Sequence, residues 1–119
     1  DPAKAWSFLE RAAAGNHPRA LFNVGATYAT GKDGAAPDKD MAASYYERAA
    51  EHGNARAAAT LGVMILTREI DGTKAQAIAW LDRADAGGHD TWASLDYAGV
   101  DDPREPAEDD ERNDDEADA

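Results

Sequence analysis

Glu10-Arg11-Ala12-Ala13 recurs as Glu47-Arg48-Ala49-Ala50 and again as Asp82-Arg83-Ala84-Asp85, at offsets of 37 and 35 residues. Further positions keep the same register. Asp1, Ala5, Phe8 and Leu9 align with Asp38, Ala42, Tyr45 and Tyr46, and the last three of these align with Ala77, Trp80 and Leu81. A second block repeats between them. Arg19-Ala20, Val24-Gly25 and Tyr28 align with Arg56-Ala57, Leu61-Gly62 and Ile65, again 37 residues on. Self-similarity at this period is the mark of a stacked-repeat architecture.

Each block reads as a helix. Ala20, Val24, Gly25 and Tyr28 share one face at 3.6 residues per turn, as do Ala42, Tyr45, Tyr46 and Ala49. The punctuation agrees. Asp1-Pro2 and His17-Pro18 place proline at the first helical position. Asp38 and Asn54 suit N-caps, and Thr73 with Gln76 fits a capping box. Asn16, Gly53 and Gly88 stand where a left-handed residue closes a helix. Six helices are therefore expected, near 2–14, 18–30, 39–52, 55–69, 74–86 and 90–98. Connections alternate between tight (Gly53-Asn54) and longer (Gly31 to Pro37), and the counterpart of the long one, around Asp71-Gly72, is two residues shorter. The fold class is all-α: an α-α superhelix, a right-handed solenoid of antiparallel helical hairpins.

That register overrides what composition suggests. Of 119 residues, 28 are alanine, only 23 are larger apolar residues, and the net charge is -12. Taken alone, so few large apolar groups with so much charge describe a disordered chain. In a helical stack, small residues are what let backbones approach. Gly25 and Gly62 each cost about 1 kcal/mol in helix propensity relative to alanine. Their matched positions predict close helix crossings. The charge divides unevenly. Residues 1–100 hold 13 acids and 10 bases, whereas residues 101–119 hold 11 acids and 2 bases and no large apolar residue. The expected organisation is a repeat domain over 1–100 (half repeat 1–17, repeat 18–54, repeat 55–89, degenerate capping helix 90–98, one face polar) and a solvated, disordered acidic tail over 101–119. No long uncharged apolar run supports a membrane span. There is no cysteine for a disulfide scaffold. The acidic balance argues against nucleic-acid binding through a basic face.

Residues 1 to about 95 resemble the Sel1-like repeat family, a relative of the tetratricopeptide repeats. Ala20-Leu21-Phe22-Asn23-Val24-Gly25 through Tyr28, Gly31 and Gly34 is similar to the family's first helix and loop. Asp38, Ala42, Tyr45 through Glu51 and Gly53-Asn54 are similar to its second helix and exit turn. The chain departs from that pattern in places: the loop Gly31 to Pro37 is one residue longer and the second loop shorter, Ile65 replaces the aromatic, Arg68 replaces the first loop glycine, and Trp92 to Tyr97 lacks the Leu-Gly pair. The chain opens on a helix-start aspartate, so further repeats are expected ahead of it in a parent protein. The resemblance is compatible with cytoplasmic, periplasmic or secreted locations.

Little in the chain points to catalysis. His17 and His89 occupy matching turns, too far apart to converge on one metal. His52 lies near a helix C-terminus, where a cation is favoured. Ser7, Ser44 and Ser94 are not in a nucleophile elbow, and no phosphate-binding glycine loop with lysine occurs. Cysteine-rich relatives in the family are linked to β-lactam hydrolysis, but this chain lacks cysteine. No catalytic residue, metal or cofactor is expected.

The resemblance implies instead a concave binding face lined by the first helix of each hairpin. Its groove positions fall on Arg19, Phe22, Ala26, Ala29 and Thr30, and in the next repeat on Arg56, Ala59, Val63, Leu66 and Thr67. Arginine can fork onto a carboxylate, and Phe22, Val63 and Leu66 can take an apolar anchor. The same apolar residues also fit burial between hairpins. The leading expectation is a scaffold module that binds a protein or peptide. The alternatives are an acidic regulator or mimic acting through the tail on a cationic partner, and a hydrolase, for which no residue set speaks.

Overall fold

A computed structural model describes residues 7, 10–11, 13–31 and 36–105. Among them stand five helices with complete bounds: α1 (Pro18–Thr30), α2 (Lys39–Glu51), α3 (Ala55–Leu66), α4 (Lys74–Ala86) and α5 (Thr91–Ala98). No strand occurs among the described residues. Residues 7, 10–11 and 13–14 are also helical. The rest of the first expected helix, with its Asp1-Pro2 start, lies outside the described residues, as do residues 32–35 of the long loop and 106–119 of the acidic segment.

The fold is an all-helical solenoid of hairpins. α1 packs on α2, and α3 on α4. The hairpins join chiefly where α2 meets α3, and α5 closes onto α3 more than onto α4. The antiparallel sense of α1 and α2 follows from their contacts. Phe22 meets Tyr46 near one end, and Asp38 N–H donates to Tyr28 O at the other.

Capping sets the helix starts. Asp38, Asn54 and Asp90 each accept a hydrogen bond through a side-chain oxygen, from the N–H of Met41, Ala57 and Ala93 respectively. Thr73 and Gln76 form the reciprocal box. His17 makes no side-chain cap, and Pro18 alone presets the first turn of α1. At the other ends, Gly53, Gly88 and Gly99 adopt positive φ, and the N–H of the residue after each (Asn54, His89 and Val100) reaches back to the carbonyl of Ala49, Ala84 and Leu95.

Helix α3 stops at Leu66, not at 69 as the sequence reading had it. The cause is Arg68, whose φ of 63° places it in the left-handed region. Arg68 N–H donates to Ile65 O and Glu69 N–H to Met64 O, closing the helix. Arg68 aligns with Gly31, which has a φ of 72°. An arginine thus adopts the backbone of a repeat glycine, at a cost of roughly 1 kcal/mol.

The glycine crossings are as expected. A Cβ on Gly25 would lie 2.8 Å from the Tyr46 ring and 3.1 Å from Ala42 O. One on Gly62 would lie 2.9 Å from Leu81 and 3.2 Å from Ala77 O. Around these crossings the core is built from Leu21, Val24, Leu61, Leu81 and Leu95, packed among buried alanines of α2, α3 and α4.

Two expectations for the C-terminal end are corrected. α5 does not present a polar face, because Trp92 is 60% and Tyr97 95% exposed. Nor does the body end at residue 100, because residues 101–105 are tied back onto α4 and α5. The tether is Arg104, whose five N–H donors are all engaged. Its Nε and Nη2 fork onto Asp102 at 2.9 and 2.8 Å. Its Nη1 donates to Asp82 at 2.9 Å and to Asp85 at 2.6 Å. Its Nη2 also donates to the Thr91 hydroxyl, which in turn donates to Asp85. Expecting solvation from Asp101 onward treated the segment as charge alone, whereas one saturated guanidinium suffices to anchor it.

Candidate functional site

The face formed by α1 and α3 carries the groove positions expected from the sequence. Arg19 and Arg56 are both exposed, 37 residues apart in the same register. Neither forms an ion pair among the described residues. The Arg56 guanidinium lies over the Phe22 ring, 5.0 Å from its centroid. Phe22 is half-buried and also packs against Tyr46, with ring centroids 5.2 Å apart. The ring holds the cation through its face without taking a hydrogen bond, and no ion pair occupies the guanidinium among the described residues, which leaves N–H donors for a carboxylate.

The remaining positions divide. Ala26, Ala29, Val63 and Leu66 are half-buried and contribute a shallow apolar surface. Thr30 and Thr67 are exposed, but each hydroxyl bonds back to the carbonyl four residues earlier, Ala26 O and Val63 O. Ala59 is corrected: at 1% exposed it offers nothing to a partner. It aligns with Phe22, yet α3 is enclosed by α2, α4 and α5, whereas among the described residues α1 packs chiefly on α2.

A recess that the sequence reading did not identify lies between the second helices. α2 supplies Asp40, Ala43 and Glu47, and α4 supplies Gln76 and Trp80. Leu61 and Ile65 of α3, both buried, form the floor, and Ile70 and Asp71 of the following connection complete the lining. The recess has a volume of about 250 Å³. Spacings of 3 and 4 residues put each helix's contribution on one stripe. What the sequence could not show is that the stripes face each other across two hairpins.

The family model for the Sel1 repeat matches residues 1–17 and 18–54. Those matches support Sel1-like repeats over residues 1–54. No curated protein and no solved structure matches the chain. Sel1 repeats generally mediate protein–protein interaction, and the family is typically a non-enzymatic scaffold.

Within this Sel1-like chain the histidines serve as turn and surface groups. His89 Nε2 is 2.8 Å from the Ser94 hydroxyl, and His52 Nδ1 is 2.9 Å from Arg48 O. No helix among the described residues is long and apolar enough to cross a membrane. The Arg104 cluster is the most strongly perturbed set of charges. Hydrogen bonds from Thr91 and then Arg104 hold the Asp85 carboxyl below the usual carboxylate range. Arg104 does the same to Asp102, and the Asp102 side chain, only 8% exposed, raises the guanidinium above its ordinary value. All five donors being spent inside the protein, the cluster acts as a clamp and offers no free donor to a ligand.

Proposed function

We propose that this Sel1-like chain is a non-enzymatic interaction module whose first-helix face captures a peptide or helix of a partner protein. The ligand chemistry is a carboxylate beside an apolar anchor. The observation that carries the reading is the arginine pair. Acids outnumber bases 24 to 12 in this chain, yet Arg19 and Arg56 stand exposed at matched positions with no ion pair among the described residues. Half-buried Val63 and Leu66 supply the apolar part of the surface.

The test is selection from a displayed random peptide library. Binders should be enriched in Asp or Glu beside Leu, Phe or Met. Arg19→Glu combined with Arg56→Glu should abolish their binding while leaving the helical circular dichroism unchanged. Binders without acidic enrichment, or binding that survives the double reversal, would sink the assignment.

A further inference from the structure

We infer that the recess between α2 and α4 is a second docking surface, which receives a long cationic side chain, arginine or lysine, from a basic segment of a partner protein. The inference rests on the protein-interaction reading but not on the α1–α3 face.

The walls and floor differ in chemistry. Asp40 and Glu47 lie two turns apart on α2, roughly 10 Å along the axis. Asp71 joins the lining beside Ile70. Three carboxylates therefore border the recess, and none of its lining residues is basic. Lys39, next to Asp40, is paired with Glu69 at 3.1 Å. Beneath the carboxylates, Leu61, Ile65 and Ile70 with the Trp80 ring give an apolar floor and side. Trp80 already holds one cation, the Arg83 guanidinium, 5.8 Å from its centroid.

The connection that carries Asp71 is held in place by packing. A Cβ on Gly72 would lie 2.9 Å from Ile65, so only glycine lets the short connection descend onto α3 and fix Asp71 at the recess. The volume, about 250 Å³, lies just below the roughly 300–1,000 Å³ of small-molecule sites and suits one or two side chains.

An occupant must satisfy both surfaces. An aliphatic stem covers the floor while its cationic head reaches the carboxylates. A neutral apolar anchor would desolvate three carboxylates without pairing them. Residues 106–119 of this chain carry eight acids and one base, so the same rim repels them.

The experiment uses the full chain labelled with ¹⁵N and the peptide acetyl-Gly-Leu-Arg-Gly-Leu-Arg-Gly-amide. Its control has citrulline in place of both arginines, equal in shape and uncharged. The readout is the indole N–H signals of Trp6, Trp80 and Trp92. The Trp80 signal should move and saturate with the arginine peptide, and the citrulline peptide should bind at least tenfold more weakly. The triple variant Asp40→Asn, Glu47→Gln, Asp71→Asn should lose affinity to the same extent, and the Arg19→Glu, Arg56→Glu variant should keep it. If the triple variant does not fold, the citrulline comparison on the native chain still decides. Equal binding of the citrulline peptide would mark an apolar occupant and overturn the inference. So would binding that leaves Trp80 unmoved, which would point to the acidic segment. A Trp80 shift that grows with protein concentration alone would assign the recess to a second copy and overturn it too.

Discussion

The hairpin α1–α2 and the hairpin α3–α4 share one crossing but fill it differently. In the first, Gly25 rests against the Tyr46 ring; in the second, Gly62 rests against Leu81. Both glycines also approach a backbone carbonyl, Ala42 O and Ala77 O, at an equivalent position. The outer faces repeat a second device. Arg48 lies over Tyr45 at 5.3 Å and Arg83 over Trp80 at 5.8 Å. The large residue changes identity while the small one does not. In this fold, the geometry is therefore fixed by where a side chain is missing, and the surrounding apolar group adapts in shape.

The hairpins differ most in how they are anchored. Arg48 of the first reaches back to Ala13 O at 3.3 Å and Asn16 Oδ1 at 3.1 Å. The second is held from downstream, by Arg104. The largest expected effect breaks that anchor. Arg104→Ala removes both guanidinium donors of the nearly buried Asp102 carboxylate, leaving it the backbone N–H of residue 104, and leaves Asp82 and Asp85 close to it. The cost of the lost charge pairing is discounted because that backbone bond remains and Asp82 and Asp85 are well exposed, which leaves about 2–3 kcal/mol. Hydrogen exchange should rise in α4 and α5 and stay unchanged in α1 and α2; uniform exchange would show that the clamp serves no one hairpin. The clamp has a pH signature. Asp85 and Asp102 have depressed folded values, so their stabilisation is fully present above the unfolded carboxylate pKa of about 3.9 and fades as pH falls toward the folded values. Arg104 stays protonated throughout. The gap between the native chain and Arg104→Ala, read from urea midpoints, should be level above about pH 5 and shrink in acid.

A smaller effect sharpens the crossing comparison. Gly25→Ala must displace the Tyr46 ring, which is stiff and wedged against Phe22. Gly62→Ala meets Leu81 at Cγ and a methyl, both 2.9 Å away, and this aliphatic side chain can turn about χ1 more readily than a ring can. Each gains about 1 kcal/mol in helix propensity and loses roughly 1–3 kcal/mol to overpacking. Gly25→Ala should therefore cost about 2 kcal/mol and Gly62→Ala at most about 1 kcal/mol, measured as thermal unfolding shifts. Equal costs would mean that the large residue, not the gap, sets each crossing.

The positions of α1, α2, α4 and α5, the caps at Asp38, Asn54 and Thr73 and both glycine crossings were legible in the sequence because each rests on local spacing or on a matched repeat. The end of α3 was hidden because Arg68 does not look like a left-handed residue; only its alignment with Gly31 shows it. Ala59 was expected beside Phe22 because the two share a register; Phe22 is half-buried while Ala59 is buried, and that difference depends on how many helices surround α3. The recess and the Arg104 clamp were invisible for a common reason. Asp40, Trp80 and Asp71 come from separate segments, and Arg104 meets Asp82 and Asp85 across 22 and 19 residues of sequence, so no periodicity brings them together.

Both proposed surfaces span the two hairpins, so both require α3 and α4 to continue the stack in the register of α1 and α2. Nuclear Overhauser contacts at the two crossings measure this directly. The predicted result is a strong contact from the Gly62 Hα protons to the Leu81 methyls, matching one from the Gly25 Hα protons to the Tyr46 ring. A contact at Gly25 with none at Gly62 would contradict the shared register, and with it both surfaces.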